Sequence, residues 1–184
     1  MEKLNILVIE DKAAHRQAAI DQLADHNVKV VSSFFLGMQL LGGTALDRSN
    51  NESGRGNYQK DFHVVLTDMN LPVSDMKGLS PECYKPGEEA PYGFVLALRA
   101  AQAGARYVGM LTDTNHHQGI MSHALDAMAA PYWGECGWQS EQNSVFTING
   151  AKCLFVHAPM TRKGDDTSSV RVKDWKAVLA YLME

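Results

Sequence analysis

Apolar, strand-like runs alternate along the chain with segments of helical periodicity, and this alternation constrains the fold more than any other feature. The strand-like runs lie at 4–9, 28–31, 62–67 and 107–111. The segments of helical periodicity lie at 12–25, 34–41, 92–103, 121–128 and 175–182. Strands separated in this way by helices are typical of a parallel sheet with helices on both faces. The sequence therefore predicts a doubly wound α/β domain.

The dipeptide Asn149-Gly150 separates two further strand-like runs, 144–148 and 151–156. Because both residue types accept positive φ, Asn-Gly between such runs is a strong signal for a two-residue β-hairpin. We therefore predict that 144–148 folds back antiparallel on 151–156. The hairpin adds an antiparallel strand to the predicted sheet.

Composition narrows the class of protein. The chain has 184 residues, of which 45% are apolar and 21% charged, which suits one globular domain. A net charge of −4 offers no basic surface, so we expect no nucleic-acid partner. No signal peptide and no apolar run of roughly 20 residues is present, and the three cysteines lack metal-type spacing. These features predict a cytoplasmic protein with reduced thiols and no membrane segment.

Polar side chains come where the predicted strands end. Glu10 and Asp11 follow the first strand, Asp68 follows the third, and Thr112 follows the fourth. The carboxyl ends of strands in open parallel sheets are where ligands bind. If the first and third strands are neighbours, three carboxylates converge there, and a divalent cation such as Mg²⁺ relieves their repulsion. Helix capping by Glu10 and Asp11, and turn capping by Asp68, are the simpler readings.

Three short motifs resemble those of one family. The stretches "ILVIED", "LTDMNLP" and "VGMLTDT" resemble, in this order, the receiver domain of response regulators, of the chemotaxis-regulator-like kind. The resemblance spans nearly the whole chain and implies a flavodoxin-like fold with strand order 2-1-3-4-5. In that order 151–156 is the edge strand, so 144–148 adds an antiparallel strand at the edge of the sheet. It implies a single domain over 1–184, with insertions at about 43–60, 75–90 and 132–147. It also implies a stand-alone receiver that acts in two-component phosphorelay signalling.

The same resemblance assigns roles to individual residues. Asp68 would be the phosphoacceptor, Thr112 the hydroxyl that turns toward the phosphoryl group, and Phe155 the aromatic that follows it. The implied Mg²⁺ ligands are Glu10, Asp11, Asp68 and the backbone carbonyl of Asn70. The implied partners are a histidine kinase or phosphotransfer protein and a downstream protein, with the chain itself a monomer or homodimer.

Two positions depart from the family pattern. Receivers carry a lysine just before the proline that ends the fifth strand, and here that place holds Ala158, before Pro159. A methyl group cannot stabilise phosphoryl charge, so the site is expected to lack its cation unless Lys12, Arg162 or Lys163 reaches in. Phosphorylation is then expected to be slow and to be accelerated by Ala158→Lys. The residue after Thr112 is usually small, whereas here Asp113 places another carboxylate beside the site.

Two alternative functions remain open at this point. A degenerate pseudo-receiver would keep the fold and act as a phosphorylation-independent interaction module. A Mg²⁺-dependent phosphohydrolase would use the same carboxylates, but the chain lacks the Asp-x-Asp that haloacid-dehalogenase-type enzymes place after the first strand. A metal site at His116, His117 and His123 is disfavoured, because their spacing is not the i, i+4 spacing that puts two ligands on one helical face.

Overall fold

A computed structural model describes residues 2–42, 62–73, 80–115, 117, 119–126, 133–134, 137–138, 145–162 and 170–184. The predicted insertion at 43–60 and most of the one at 132–147 lie outside these residues, as does His116. The elements in chain order are β1 (Asn5–Ile9), α1 (Ala13–Gln22), β2 (Asn27–Val31), α2 (Phe34–Leu40), β3 (Val64–Asp68), β4 (Leu71–Pro72), a 3-10 turn (Pro81–Cys83), β5 (Glu89–Ala90), α3 (Tyr92–Ala103), β6 (Tyr107–Thr112), α4 (Ile120–Asp126), β7 (Trp133–Gly134), β8 (Gly137–Trp138), β9 (Val145–Ile148), β10 (Ala151–His157), β11 (Met160–Arg162), β12 (Arg171–Lys173) and α5 (Trp175–Met183).

The central sheet has six strands in the order β2-β1-β3-β6-β10-β9. The first five are parallel, and β9 pairs antiparallel with β10. The predicted flavodoxin-like order 2-1-3-4-5, with an added antiparallel edge strand, is therefore confirmed. Ile9 lies opposite Thr67, and Asp68 lies opposite Leu111. This register brings the carboxyl ends of β1, β3 and β6 to one edge of the sheet.

The β9–β10 turn has the backbone that its sequence predicts. Asn149 has φ 48° and Gly150 has φ 83°, and Ile148 lies opposite Ala151. Two consecutive residues with positive φ match the twist of the flanking strands, which is why Asn-Gly is favoured there. The Asn149 side chain also donates a hydrogen bond to the Ala101 carbonyl, 3.2 Å away, which ties the turn to α3.

Apolar side chains cover both faces of the sheet, as expected for parallel strands that carry helices on each side. Side chains alternate along β1, so that Ile6 and Val8 face α1 and α5 while Leu7 and Ile9 face α2 and α3. Trp175 of α5 is fully buried in the first of these layers. The two layers hold the sheet rigid, which fixes the strand ends where the polar groups lie.

Three short antiparallel pairs lie outside the central sheet among the described residues: β4–β5, β7–β8 and β11–β12. The β11–β12 pair was not predicted. It lies between β10 and α5, with Met160 opposite Lys173. The Asp174 N–H donates to the Pro159 carbonyl at 2.7 Å, which closes the base of this hairpin. Lys173 therefore lies beside Met160 in space, close to Ala158, although it comes much later in the sequence.

Candidate phosphoacceptor and metal site

Three carboxylates meet where β1 and β3 end. One oxygen each of Glu10, Asp11 and Asp68 lies within 4.8 Å of the others, and no other group of three or more potential metal ligands occurs among the described residues. Glu10 is fully buried and Asp68 is 2% exposed. The convergence predicted from the strand ends is therefore present, and it is buried deeply enough that its charges need compensation.

Lys173 supplies a cation that the sequence reading did not single out. Its ammonium Nζ lies 2.6 Å from Glu10 Oε2 and 2.7 Å from Asp68 Oδ1, and the side chain is fully buried. The expectation of a site without a lysine, drawn from Ala158, is wrong. The β11–β12 hairpin separates β10 from α5, so the lysine comes from the second strand of that hairpin. Lys12 instead pairs with Asp113, while the Arg162 side chain and Lys163 lie outside the described parts.

The turn after Asp68 is held from two sides. The Met69 N–H donates to Asp68 Oδ1 at 2.9 Å, and the Gly93 N–H at the start of α3 donates to the Met69 carbonyl at 2.9 Å. A Cβ on Gly93 would lie only 2.2 Å from the Asp68 carbonyl oxygen. Glycine is thus required at this position, because α3 begins directly against the turn that presents Asp68.

The pKa values of the buried groups reflect their burial and the charges around them. Burial raises the pKa of Asp68 to about 7; Lys173 opposes this rise and the Glu10 carboxylate adds to it. Burial also raises the pKa of Glu10. Burial alone would lower the pKa of Lys173, but the Asp68 and Glu10 carboxylates outweigh it and the pKa is raised. Burial disfavours the ionised form of the two carboxyl groups, and the two carboxylates favour the charged form of the lysine, which accounts for the three directions.

The residues present fit a divalent cation. When all three carboxylates are ionised, they and the one ammonium leave two negative charges, and carboxylate oxygens are the ligands that Mg²⁺ prefers. Asp11 Oδ1 is buried and has no hydrogen-bond partner among the described residues. Both oxygens of Glu10 are already engaged, Oε2 by Lys173 and Oε1 by the Lys12 N–H at 3.0 Å. Asp11 therefore offers a buried ligand oxygen that no described protein group occupies.

Thr112 and Asn70 lie beside the carboxylates without being part of that group. Thr112 is buried at the end of β6, and its hydroxyl oxygen accepts the Thr114 N–H at 3.1 Å. The Asn70 side-chain amide donates to Thr114 Oγ1, also at 3.1 Å. Thr114 thus links the turn after β3 to the turn after β6.

The charge of Asp113 is compensated. Its carboxylate lies 2.6 Å from Lys12 Nζ and 3.2 Å from His15 Nε2. Burial alone would raise the pKa of Asp113, but the hydrogen bond with His15 and the charges of Lys173 and Lys12 hold it well below its usual range. The extra carboxylate after Thr112 is therefore turned to two partners on the β1–α1 side.

Phe155 lies on the α3 face of β10. Its ring meets Phe94 edge-on at 5.5 Å between centroids and Phe146 edge-on at 4.9 Å. Phe146 belongs to the added strand β9, so the hairpin contributes directly to the surroundings of this aromatic. His157, two residues on, contacts Ser122 and Asp126 of α4, on the side away from Lys173 as strand alternation predicts.

No protein-family model matches the chain, and no curated protein matches it. Among solved structures it is similar to a BeF3-activated DrrB receiver domain (TM-score 0.42, 15% identity, covering 87% of this chain and 88% of that one). It is also similar to a response regulator receiver domain protein from Clostridium thermocellum (TM-score 0.41, 19% identity, covering 86% and 84%). The fold assignment rests on the observed strand order. In the described parts of the chain, no helix is long and apolar enough to cross a membrane.

Proposed function

We propose that this chain is a response-regulator receiver in which Asp68 accepts a phosphoryl group with the help of Lys173 and Mg²⁺. The observation that carries the proposal is the buried Lys173 ammonium, 2.7 Å from Asp68 Oδ1, beside three carboxylates at the carboxyl edge of the sheet. Burying a lysine ammonium costs desolvation free energy unless carboxylates or a bound anion pair with it. Here the Lys173 ammonium pairs with Asp68, the residue that would be the phosphoacceptor by the family resemblance.

The proposed chemistry is a phosphoryl transfer to Asp68. An Asp68 carboxylate oxygen attacks the phosphorus of an acyl phosphate or phosphohistidine, the bond from phosphorus to the leaving group breaks, and the leaving group departs with the electron pair. The product is an aspartyl phosphate. The Lys173 ammonium stabilises negative charge on the phosphoryl oxygens, as a fixed charge in a buried site does effectively.

Asp11 and Asp68 are the groups we propose to hold Mg²⁺, with Glu10 beside them and the Asn70 carbonyl completing the set. When bound, the ion neutralises phosphoryl charge and orients the phosphoryl group. Asp11 Oδ1 supports this role, since it is a buried oxygen without a protein hydrogen-bond partner in the described structure. Such an atom is costly unless a ligand satisfies it.

The proposed readout of phosphorylation runs through Thr112 and Phe155. The Thr112 hydroxyl, now an acceptor for the Thr114 N–H, would instead donate to a phosphoryl oxygen. Phe155 would adjust against Phe94 and Phe146, and so couple the site to β9. The proposed donor is a histidine kinase or phosphotransfer protein, and the proposed target is a downstream protein in a cytoplasmic two-component pathway.

Intact-mass measurement with acetyl phosphate and Mg²⁺ tests the proposal. We expect wild type to gain one phosphoryl group and Asp68→Asn to gain none, because the amide cannot act as the nucleophile. Asp21→Asn on the exposed side of α1 is the matched control and should label as wild type does. Equal labelling of wild type and Asp68→Asn would place the acceptor elsewhere, and an unlabelled wild type would remove the proposal.

A second candidate is a pseudo-receiver that uses the same ion pair structurally. The observation that favours it is that Asp68 Oδ1 already accepts from both Lys173 and the Met69 N–H, in a side chain that is 2% exposed. In that case the pair fastens β12 to β3 and no phosphoryl group enters. Partner binding would then be the same with and without acetyl phosphate.

A further inference from the structure

Lys173 reaches the carboxylates from outside the central sheet. It is the last residue of β12, whose strand partner within the described parts of the chain is β11, in a separate two-stranded sheet. The hydrogen bonds of the six-stranded sheet therefore do not fix its backbone. Since a long lysine side chain has many rotamers, the position of its ammonium depends on what fixes the main chain at 173.

Two side chains of α1 form hydrogen bonds with the main chain at residues 173–175. The Lys173 N–H donates to His15 Nδ1 at 3.4 Å, and Gln22 Nε2 donates to the Lys173 carbonyl at 3.0 Å. Gln22 Oε1 then accepts the Trp175 N–H at 2.7 Å, and the Trp175 indole N–H donates to the His15 carbonyl at 3.0 Å. His15 and Gln22 are seven residues apart, about two helical turns, so both lie on the same face of α1.

The His15 ring is held in place by hydrogen bonds at both of its nitrogens. Since Nδ1 accepts the Lys173 N–H, Nε2 carries the proton of the neutral ring and donates to Asp113 Oδ2, 3.2 Å away. Asp113 is held in turn by Lys12 at 2.6 Å. The His15 ring is 5% exposed and joins the turn after β6 to the backbone that carries the lysine.

We propose that His15 and Gln22 are positioning residues that hold the Lys173 main chain so that its ammonium reaches Asp68 and Glu10. The inference rests on the proposed function for its consequence in phosphoryl transfer. Lys173 lies outside the central sheet, so side chains of α1 hold its main chain in place of sheet hydrogen bonds. A reacting group misplaced by about 1 Å can lose roughly 100-fold in rate, so the main-chain contacts matter for chemistry.

Two single variants, two controls and one reserve variant test this. His15→Phe and Gln22→Leu keep the bulk of each side chain and remove its hydrogen bonds to Lys173. His26→Phe is the matched control for the histidine, because His26 Nδ1 accepts the Leu4 N–H at the same 3.4 Å, at the other end of β1 from the site. Gln17→Leu is the control for the glutamine, on the same helix but exposed. Gln22→Glu, which keeps the oxygen facing Trp175, serves if Gln22→Leu does not fold.

The readout is the initial rate of labelling by acetyl phosphate, set against Mg²⁺ affinity. We expect His15→Phe and Gln22→Leu to slow labelling by roughly 10-fold to 100-fold while Mg²⁺ affinity stays within about threefold, and the controls to change neither. In a Lys173→Met background, His15→Phe should slow labelling no further, because it acts through the lysine. Equal slowing in both backgrounds, or equal slowing by the controls, would overturn the proposal.

A second measurement needs no phosphate and separates this inference from the proposed function. NMR of the Lys173 ammonium protons reports on the ion pair with Asp68 and Glu10 through their exchange with water. We expect slow exchange in wild type and in both controls, and exchange faster by roughly 10-fold in His15→Phe and Gln22→Leu. Unchanged exchange in these two variants would overturn the positioning role even if labelling occurs. Absent labelling with the expected exchange pattern would remove only the proposed function.

Discussion

At the scale of single residues, the sequence predicted the three carboxylates that converge and missed the lysine that lies beside them. Glu10, Asp11 and Asp68 follow apolar strand runs directly, so their convergence followed from parallel pairing alone. Lys173 is the last residue of a three-residue strand in a hairpin that has no central-sheet periodicity, and nothing in its spacing ties it to β10. The available signal was the stretch "VRVKDW", in which a lysine stands just before the N-cap Asp174 of an amphipathic helix.

Asp113 offers a residue-scale prediction for stability. Its pKa is lower in the folded chain than in the unfolded one, so its ionised form stabilises the fold above the unfolded pKa of about 4. We expect Asp113→Asn to lower the free energy of unfolding by about 1–2 kcal/mol at pH 7, since Lys12 is partly exposed and rehydrates. Urea unfolding measures this loss.

The pH dependence checks the cause of that effect. As the pH falls below about 4 and through the folded pKa, wild type loses the stabilisation and the difference from Asp113→Asn should shrink. Asp21→Asn, at an exposed position of α1, should change stability little at any pH. A difference for Asp113→Asn that stays constant down to low pH would show that the ion pair with Lys12 and the hydrogen bond with His15 contribute nothing.

At the scale of elements, long periodic segments and the Asn-Gly turn were predictable, and short added pieces were not. The helix predicted over 12–25 is shorter in the structure, because α1 ends at Gln22, and its apolar residue Ile20 is 47% exposed. Ala18 is buried in place of Ile20, since α1 turns its small residues and His15 inward toward β12 and α5. The β11–β12 hairpin determines which face of α1 is buried, because α1 packs against β12. The periodicity of the α1 sequence alone does not reveal this contact.

The close approach of α3 to the Asp68 turn gives an element-scale prediction. Gly93→Ala should destabilise the fold by about 1–3 kcal/mol or more, because its Cβ would meet the Asp68 carbonyl oxygen and the start of α3 must move away. Since the same shift loosens Asp68, labelling by acetyl phosphate should slow as well. Thermal unfolding and intact-mass labelling measure the two effects.

Gln102→Ala on the exposed face of α3 is the control, and it should leave both quantities near wild type. If Gly93→Ala matches wild type in stability and labelling, the start of α3 does not constrain the turn that carries Asp68.

At the scale of the whole molecule, the site joins the two ends of the chain. Lys173 is 163 residues from Glu10 and 105 residues from Asp68, so the cation and the acids meet only after β1, β3 and the C-terminal hairpin are all in place. The proposed phosphoacceptor is thus sensitive to how α1 and β12 pack. This arrangement explains how Ala158 is tolerated before Pro159: the charge that this place would supply is delivered from β12.

The labelling rate of Lys173→Met with acetyl phosphate and Mg²⁺ tests this central claim most directly. We expect a loss of roughly 100-fold relative to wild type, because the group that stabilises phosphoryl charge is gone. Lys176→Met, one turn away on the exposed side of α5, should label as wild type does, and Ala158→Lys should bring no acceleration because the cation is already present. Lys173→Met that labels at the wild-type rate would contradict the account.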